Sequence, residues 1–115
     1  MTRARNDAFV LAADPLLFSL HRRIIELAAR HRLPAVYETR LFPEAGGLLS
    51  YGPLPQERFQ RTAVYVDRIL RGARPADLPI ERPTTFELVI NVKTAKALGL
   101  TIPQSLLLRA DQVIE

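Results

Sequence analysis

The chain has no cysteine and no tryptophan, one methionine and two histidines. Without thiols it forms no disulfide and holds no metal through thiolate. His21 and His31 are expected on one helix, about 15 Å apart along its axis. One helix cannot bring both to the same ion, so no metal site is expected. Long apolar runs are also missing. None approaches the roughly 20 residues that a membrane-spanning helix needs. Met1-Thr2-Arg3-Ala4-Arg5-Asn6-Asp7 is basic, but the apolar run behind it stops at Asp14-Pro15, short for a signal peptide. No phosphate-cradling glycine loop, serine elbow, paired carboxylates or metal-ligand spacing occurs, so no enzymatic chemistry and no cofactor is expected.

What is present is the composition of a folded α/β domain. The 115 residues are 48% hydrophobic and 24% charged, enough for one domain or for part of a larger one. The formal net charge is +4, and the 16 basic residues less Lys93 and Lys96 leave 14 arginines. These are scattered along the chain, not gathered into the patch that nucleic acid would require.

The chain is organised around Gly46-Gly47-Leu48-Leu49-Ser50-Tyr51-Gly52-Pro53. Two glycines free the backbone, three residues at 48–50 suit a short buried strand, and Gly52-Pro53 ends it. Ahead of it, Ala8 to Ala13 is apolar without alternation, as in a strand buried on both faces of a parallel sheet. Asp14-Pro15 then opens a helix to about Arg32, with Asp14 as N-cap and Pro15 in the first turn. Asp14 also stands at a strand's carboxyl end, where it could face a cleft. Leu33-Pro34 leads into a second strand over 35–37, and Tyr37 and Glu38 lie at its end. Strands 8–13 and 35–37 are expected as parallel neighbours, since a β-α-β unit crosses over with one hand. Thr39 to Ala45 reads as a connection with one helical turn near Pro43. A second long helix follows from about Gln56 to Arg71, with Phe59, Ala63, Val66, Ile69 and Leu70 on its apolar face. Glu57 with Arg61 and Asp67 with Arg71 are spaced for ion pairs. Gly72 ends this helix. The proline-rich stretch 73–83 is a tether, 86–90 is a strand, Asn91 caps a short helix ending at Gly99, and a last helix is expected over 104–113.

Open α/β sheets bind ligands outside the carboxyl ends of their strands. The candidate ligand-binding residues are therefore Asp14, Pro15, Tyr37, Glu38, Ser50, Tyr51 and Gly52. Backbone and hydroxyl groups there would hydrogen-bond a polar solute, and the rings would cover it. Glu38 could accept from an ammonium group, or it could simply be solvated.

The segments "ADPLLFSLHRRIIELAARHRLPAVYE", "EAGGLLSYGP", "AVYVDRILRGARPADLPIERPTTFELVIN" and "FELVINVKTAKALGLTIPQSLLLRADQVIE", in this order, resemble the carboxyl end of ABC-transporter substrate-binding proteins of the tryptophan/tyrosine type. The resemblance implies a type I periplasmic-binding fold, flavodoxin-like, with parallel strands and flanking helices in two lobes joined by a hinge. Such proteins are not enzymes. They hold a small polar or amino-acid-like solute between the lobes and deliver it to a membrane permease. Members are longer, so the chain is expected to be a carboxyl-terminal piece. On that expectation 1–45 comes from one lobe, 46–72 crosses to the other, 73–85 is a connection, and 86–115 holds the final strand and helices. The family location is periplasmic, whereas a chain without a signal peptide would stay in the cytoplasm. Incomplete sheets with unpaired edges would favour self-association.

Two other classes compete with this reading. Thr94-Ala95-Lys96-Ala97-Leu98-Gly99 followed by Gln104-Ser105 imitates a helix-turn-helix. A reading helix needs polar and basic residues near its start, and here Leu106-Leu107-Leu108 follows directly, so nucleic acid is not an expected partner. A free-standing α/β interaction module without ligand is the stronger alternative.

Overall fold

A computed structural model describes residues 6–115. In chain order the elements are β1 (Phe9–Leu11), α1 (Pro15–Ser19), α2 (His21–Arg30), β2 (Ala35–Tyr37), α3 (Leu41–Glu44), β3 (Leu49–Pro53), α4 (Pro55–Leu70), a 3-10 turn (Pro75–Asp77), β4 (Phe86–Asn91), α5 (Val92–Ala97), α6 (Gln104–Leu107) and β5 (Gln112–Ile114). The chain divides into two compact units. One comprises the residues up to Gly52 with Glu87–Glu115, the other Pro53–Phe86.

The first unit is built on a five-stranded sheet in the order β1-β2-β3-β4-β5. β1 and β2 are parallel, with Phe9 opposite Ala35 and Leu11 opposite Tyr37, as the β-α-β reading requires. β2 and β3 are parallel through Val36–Leu49 and Tyr37–Ser50, and β4 and β5 through Ile90–Val113. β3 and β4 run in opposite directions. Asn91 N donates to Leu48 O at one end of the pair, and Leu54 N donates to Thr85 O at the other. The sheet is therefore mostly parallel with one antiparallel seam.

Local chemistry explains most element ends. Asp14 accepts from Leu16 N at 2.8 Å and caps α1, with Pro15 in its first turn. The expected single helix is broken at Leu20, whose φ of −97° and ψ of 8° lie outside the helical region. Two side chains compete for backbone there: Ser19 Oγ donates to Leu16 O, and the His21 ring bonds Phe18 O at 2.8 Å. Such back-bonding bends helices. Asn91 is buried and caps α5, accepting from Thr94 N at 3.0 Å, while its Nδ2 donates to Pro43 O at 2.9 Å.

The core of this unit gathers Ile25, Ala35, Tyr37 and Phe42, with Phe9, Leu11, Phe18 and Ile24 packed against it. Phe42 and Tyr37 stack with ring centroids 4.4 Å apart, and Phe9 meets Tyr37 edge-on. Two expectations are corrected here. The 8–13 run is not buried on both faces: β1 is an edge strand, and Val10 is 78% exposed on the face turned from this core. The helix expected over 104–113 ends at Leu107, and the chain becomes β5. Strand β4 would otherwise leave a buried edge without hydrogen-bond partners. Asp111 N donates to Leu88 O, and Asp111 Oδ2 accepts from Leu88 N at 2.8 Å, which starts the pairing.

The second unit is α4 and the segment returning along it. Gly72 ends the helix region with a φ of 105°. Asp67 pairs with Arg71 as expected. Glu57 does not pair with Arg61. Its carboxylate accepts from Thr84 Oγ1 and Thr85 N, and Arg61 turns to Glu81 at 3.0 Å. Those partners come from the returning segment and are fixed by it, which a solvated i,i+4 neighbour is not. No residue of α4 is buried. Phe59 is 73% and Leu70 82% exposed, so among the described residues of this unit nothing covers the expected apolar face.

Candidate functional site

β1, β2 and β3 run the same way, so their carboxyl ends lie at one end of the sheet, beside the starts of β4 and β5. The chain leaves the first unit at Gly52 and re-enters it at Glu87, both at this end. Asp14 and Pro15 follow β1 and are exposed. Glu38 is half-buried at the end of β2, and its Oε2 accepts from Ala13 N at 2.9 Å. That bond ties the ends of β1 and β2 together. Gly52 lies so close to β2 that a Cβ on it would stand 2.0 Å from Glu38 O. Tyr51 precedes it and is 56% exposed. Asp14, Pro15, Glu38, Tyr51 and Gly52 are thus gathered on one edge. Tyr37 and Ser50 are not on its surface. They face each other in register across β2 and β3 and are both 2% exposed. Gly47 makes room for the Tyr37 ring, since a Cβ there would come within 2.7 Å of it.

Arg40 is the member of this edge that sequence reasoning missed. Its Nε donates to Glu44 at 2.7 Å, Nη1 to Glu87 at 3.2 Å, and Nη2 to Gln112 Oε1. Its hydrogen bond to the Glu44 carboxylate and then the charge of Glu87 raise its pKa further above the usual arginine value. One guanidinium therefore links the end of β2 to the starts of β4 and β5. The only signal was an arginine in the residues after a strand, which is too common to single out. Together the edge offers the carboxylates of Glu38 and Asp14, an exposed phenol ring, and backbone at Gly52. Such groups can accept from an ammonium group and cover an apolar side chain. Among the described residues no three of His, Cys, Asp and Glu are placed to hold a metal ion.

The buried Tyr37 carries a measurable consequence. Burial pushes its phenol from 10.0 up to about 12. Between these values the unfolded chain has lost a proton that the folded chain keeps, so stability falls as pH rises through that window and is untouched below it. The loss is about 2–3 kcal/mol. Urea midpoints are expected to drop more steeply from pH 10 to 12 in the parent than in Tyr37→Phe. Equal slopes would place the phenol outside the core.

The sequence profile described as ABC transporter substrate binding protein matches residues 1–114. No curated protein matches the chain in sequence. Among solved structures, an ABC domain in complex with L-Trp from Streptococcus pneumoniae is 31% identical with a TM-score of 0.89, over 98% of this chain and 38% of that one. A conserved domain protein from Vibrio cholerae O1 biovar El Tor strain N16961 is 29% identical with a TM-score of 0.89, over 95% of this chain and 37% of that one. A ligand-free, open substrate-binding protein with adhesive properties from Clostridium difficile shares the fold, at 20% identity and a TM-score of 0.60. The chain thus spans under two fifths of the length of each of these structures. No helix among the described residues is long and apolar enough to cross a membrane.

Proposed function

Because the chain belongs to the ABC transporter substrate-binding protein family, we propose that the edge formed by Asp14, Pro15, Glu38, Tyr51 and Gly52 is one wall of a solute cleft between two α/β lobes, with Tyr37 and Ser50 supporting it from beneath. The solute is small and amino-acid-like, as L-Trp is for the Streptococcus pneumoniae relative. The protein is a carrier that hands its solute to an ABC permease in the periplasm, and it catalyses nothing. One observation carries this reading: the carboxyl ends of three parallel strands and both passages of the chain out of the first unit meet at the same sheet end. Glu38 and Asp14 are the acceptors for the ammonium group, and Tyr51 lies over the apolar part.

A single wall buries a solute only partly, and small-molecule sites rely on burial. Binding by this chain alone is therefore expected to be weak. L-tryptophan titrated into labelled protein should shift the amide signals of Ala13, Glu38, Tyr51 and Gly52, with no micromolar affinity. Tyr51→Ala should remove the shifts. Shifts that map elsewhere, or that survive Tyr51→Ala, would dismiss this placement of the cleft. The uncovered apolar face of α4 favours a second reading, in which this face joins another protein surface. Light scattering on the same samples tests it: a mass above the monomer that Phe59→Asp lowers would support association through α4.

A further inference from the structure

The second unit contains a crevice of about 440 Å³, formed only by residues of Pro53–Phe86. That volume is within the range of small-molecule sites, roughly 300–1,000 Å³. Its walls are largely apolar, made by the rings of Pro53, Pro83 and Tyr65 and the side chain of Leu54. Five charged groups also line it. Glu57 spends its oxygens on Thr84 Oγ1 at 2.8 Å and Thr85 N at 3.2 Å. Glu81 is paired with Arg61 at 3.0 Å. Thr62 donates its hydroxyl to Arg58 O, and Tyr65 donates to Pro79 O, so neither offers a free donor. The guanidiniums of Arg58 and Arg82 remain, and among the described residues neither has a hydrogen-bond or ion-pair partner. Two unspent guanidiniums beside an apolar wall set a clear demand. The occupant must bring an oxyanion to the arginines and a flat or branched apolar body to the prolines and Tyr65.

We propose that this crevice is a second ligand site, separate in its residues from the sheet-end edge, and that it takes an organic carboxylate with an apolar body. Guanidinium and carboxylate match in planar, two-point geometry. A free inorganic anion would leave the apolar wall unused, and a neutral ring would leave both arginines unused.

The test is calorimetric titration of the full chain with phenylacetate, beside benzyl alcohol and inorganic phosphate. Saturable binding of phenylacetate alone is expected. Arg58→Gln and Arg82→Gln should each weaken it about tenfold, the size of one charge-assisted hydrogen bond. Arg22→Gln, an exposed arginine of the first unit, should leave it unchanged. The proposal fails if phenylacetate does not saturate. It also fails if benzyl alcohol or phosphate binds as tightly, or if the crevice substitutions weaken binding no more than Arg22→Gln does.

Discussion

Gly52→Ala is expected to abolish cooperative folding or come close to it. The added Cβ would lie 2.0 Å from Glu38 O and 2.9 Å from Glu38 C. Both are backbone atoms of the neighbouring strand, and neither can swing away as a side-chain tip would. To relieve the contact, β2 and β3 must separate at their carboxyl ends. That movement pulls Glu38 from Ala13 N and unlinks β1 as well. Overpacking a core commonly costs about 1–3 kcal/mol, and a clash with fixed backbone lies at or above the top of that range. Small domains have a total stability of roughly 5–15 kcal/mol. Circular dichroism in urea should therefore show a much lower midpoint or no transition. An unchanged midpoint would mean that β3 does not approach β2 as described.

Phe42→Ala should be nearly as damaging, by a different route. Phe42 is 2% exposed. Its ring stacks on Tyr37 at 4.4 Å and lies 6.3 Å from Phe18 and 6.1 Å from His21. Truncation leaves a cavity among three elements, at a cost of about 3–5 kcal/mol for a buried phenylalanine. Part of that is the ring–ring term, roughly 0.5–1.5 kcal/mol per pair. Phe59→Ala serves as the contrast. Phe59 is 73% exposed on α4, and exposed substitutions usually stay within about 0.5 kcal/mol. Equal losses for Phe42→Ala and Phe59→Ala in urea denaturation would overturn the assignment of the core.

Phe42 also shows how a reading by segment goes astray. It falls in 39–45, which the sequence presents as a connection around one helical turn. The turn exists as α3, but the connection is the centre of the aromatic core. Nothing in the spacing of one phenylalanine marks it as buried, because its partners Tyr37, Phe18 and His21 come from three other elements. The candidate site divides in the same way. Asp14, Glu38, Tyr51 and Gly52 could be collected in advance, because each lies at or just beyond the expected carboxyl end of a strand. Tyr37 and Ser50 met the same criterion, yet face inward, since strand residues alternate between faces and only packing decides which face is covered.

The sequence by itself determined the features that act over a few residues. These are the β-α-β order with parallel β1 and β2, the Asp14 and Asn91 caps, the stop at Gly72, and the family likeness carried by short segments in order. The caps and the stop depend on backbone chemistry between near neighbours, and the parallel order of β1 and β2 follows from the fixed hand of a β-α-β crossover. The tertiary structure decided the rest. It ended the last expected helix at Leu107 and added β5 after it, because β4 needed a hydrogen-bonded neighbour. It left Val10 on an open face and the apolar face of α4 uncovered by the described residues of its own unit, because burial depends on what else is nearby. It also drew Arg40 across to Glu87 and Gln112, a meeting of residues far apart in the chain that only the assembled sheet brings within reach.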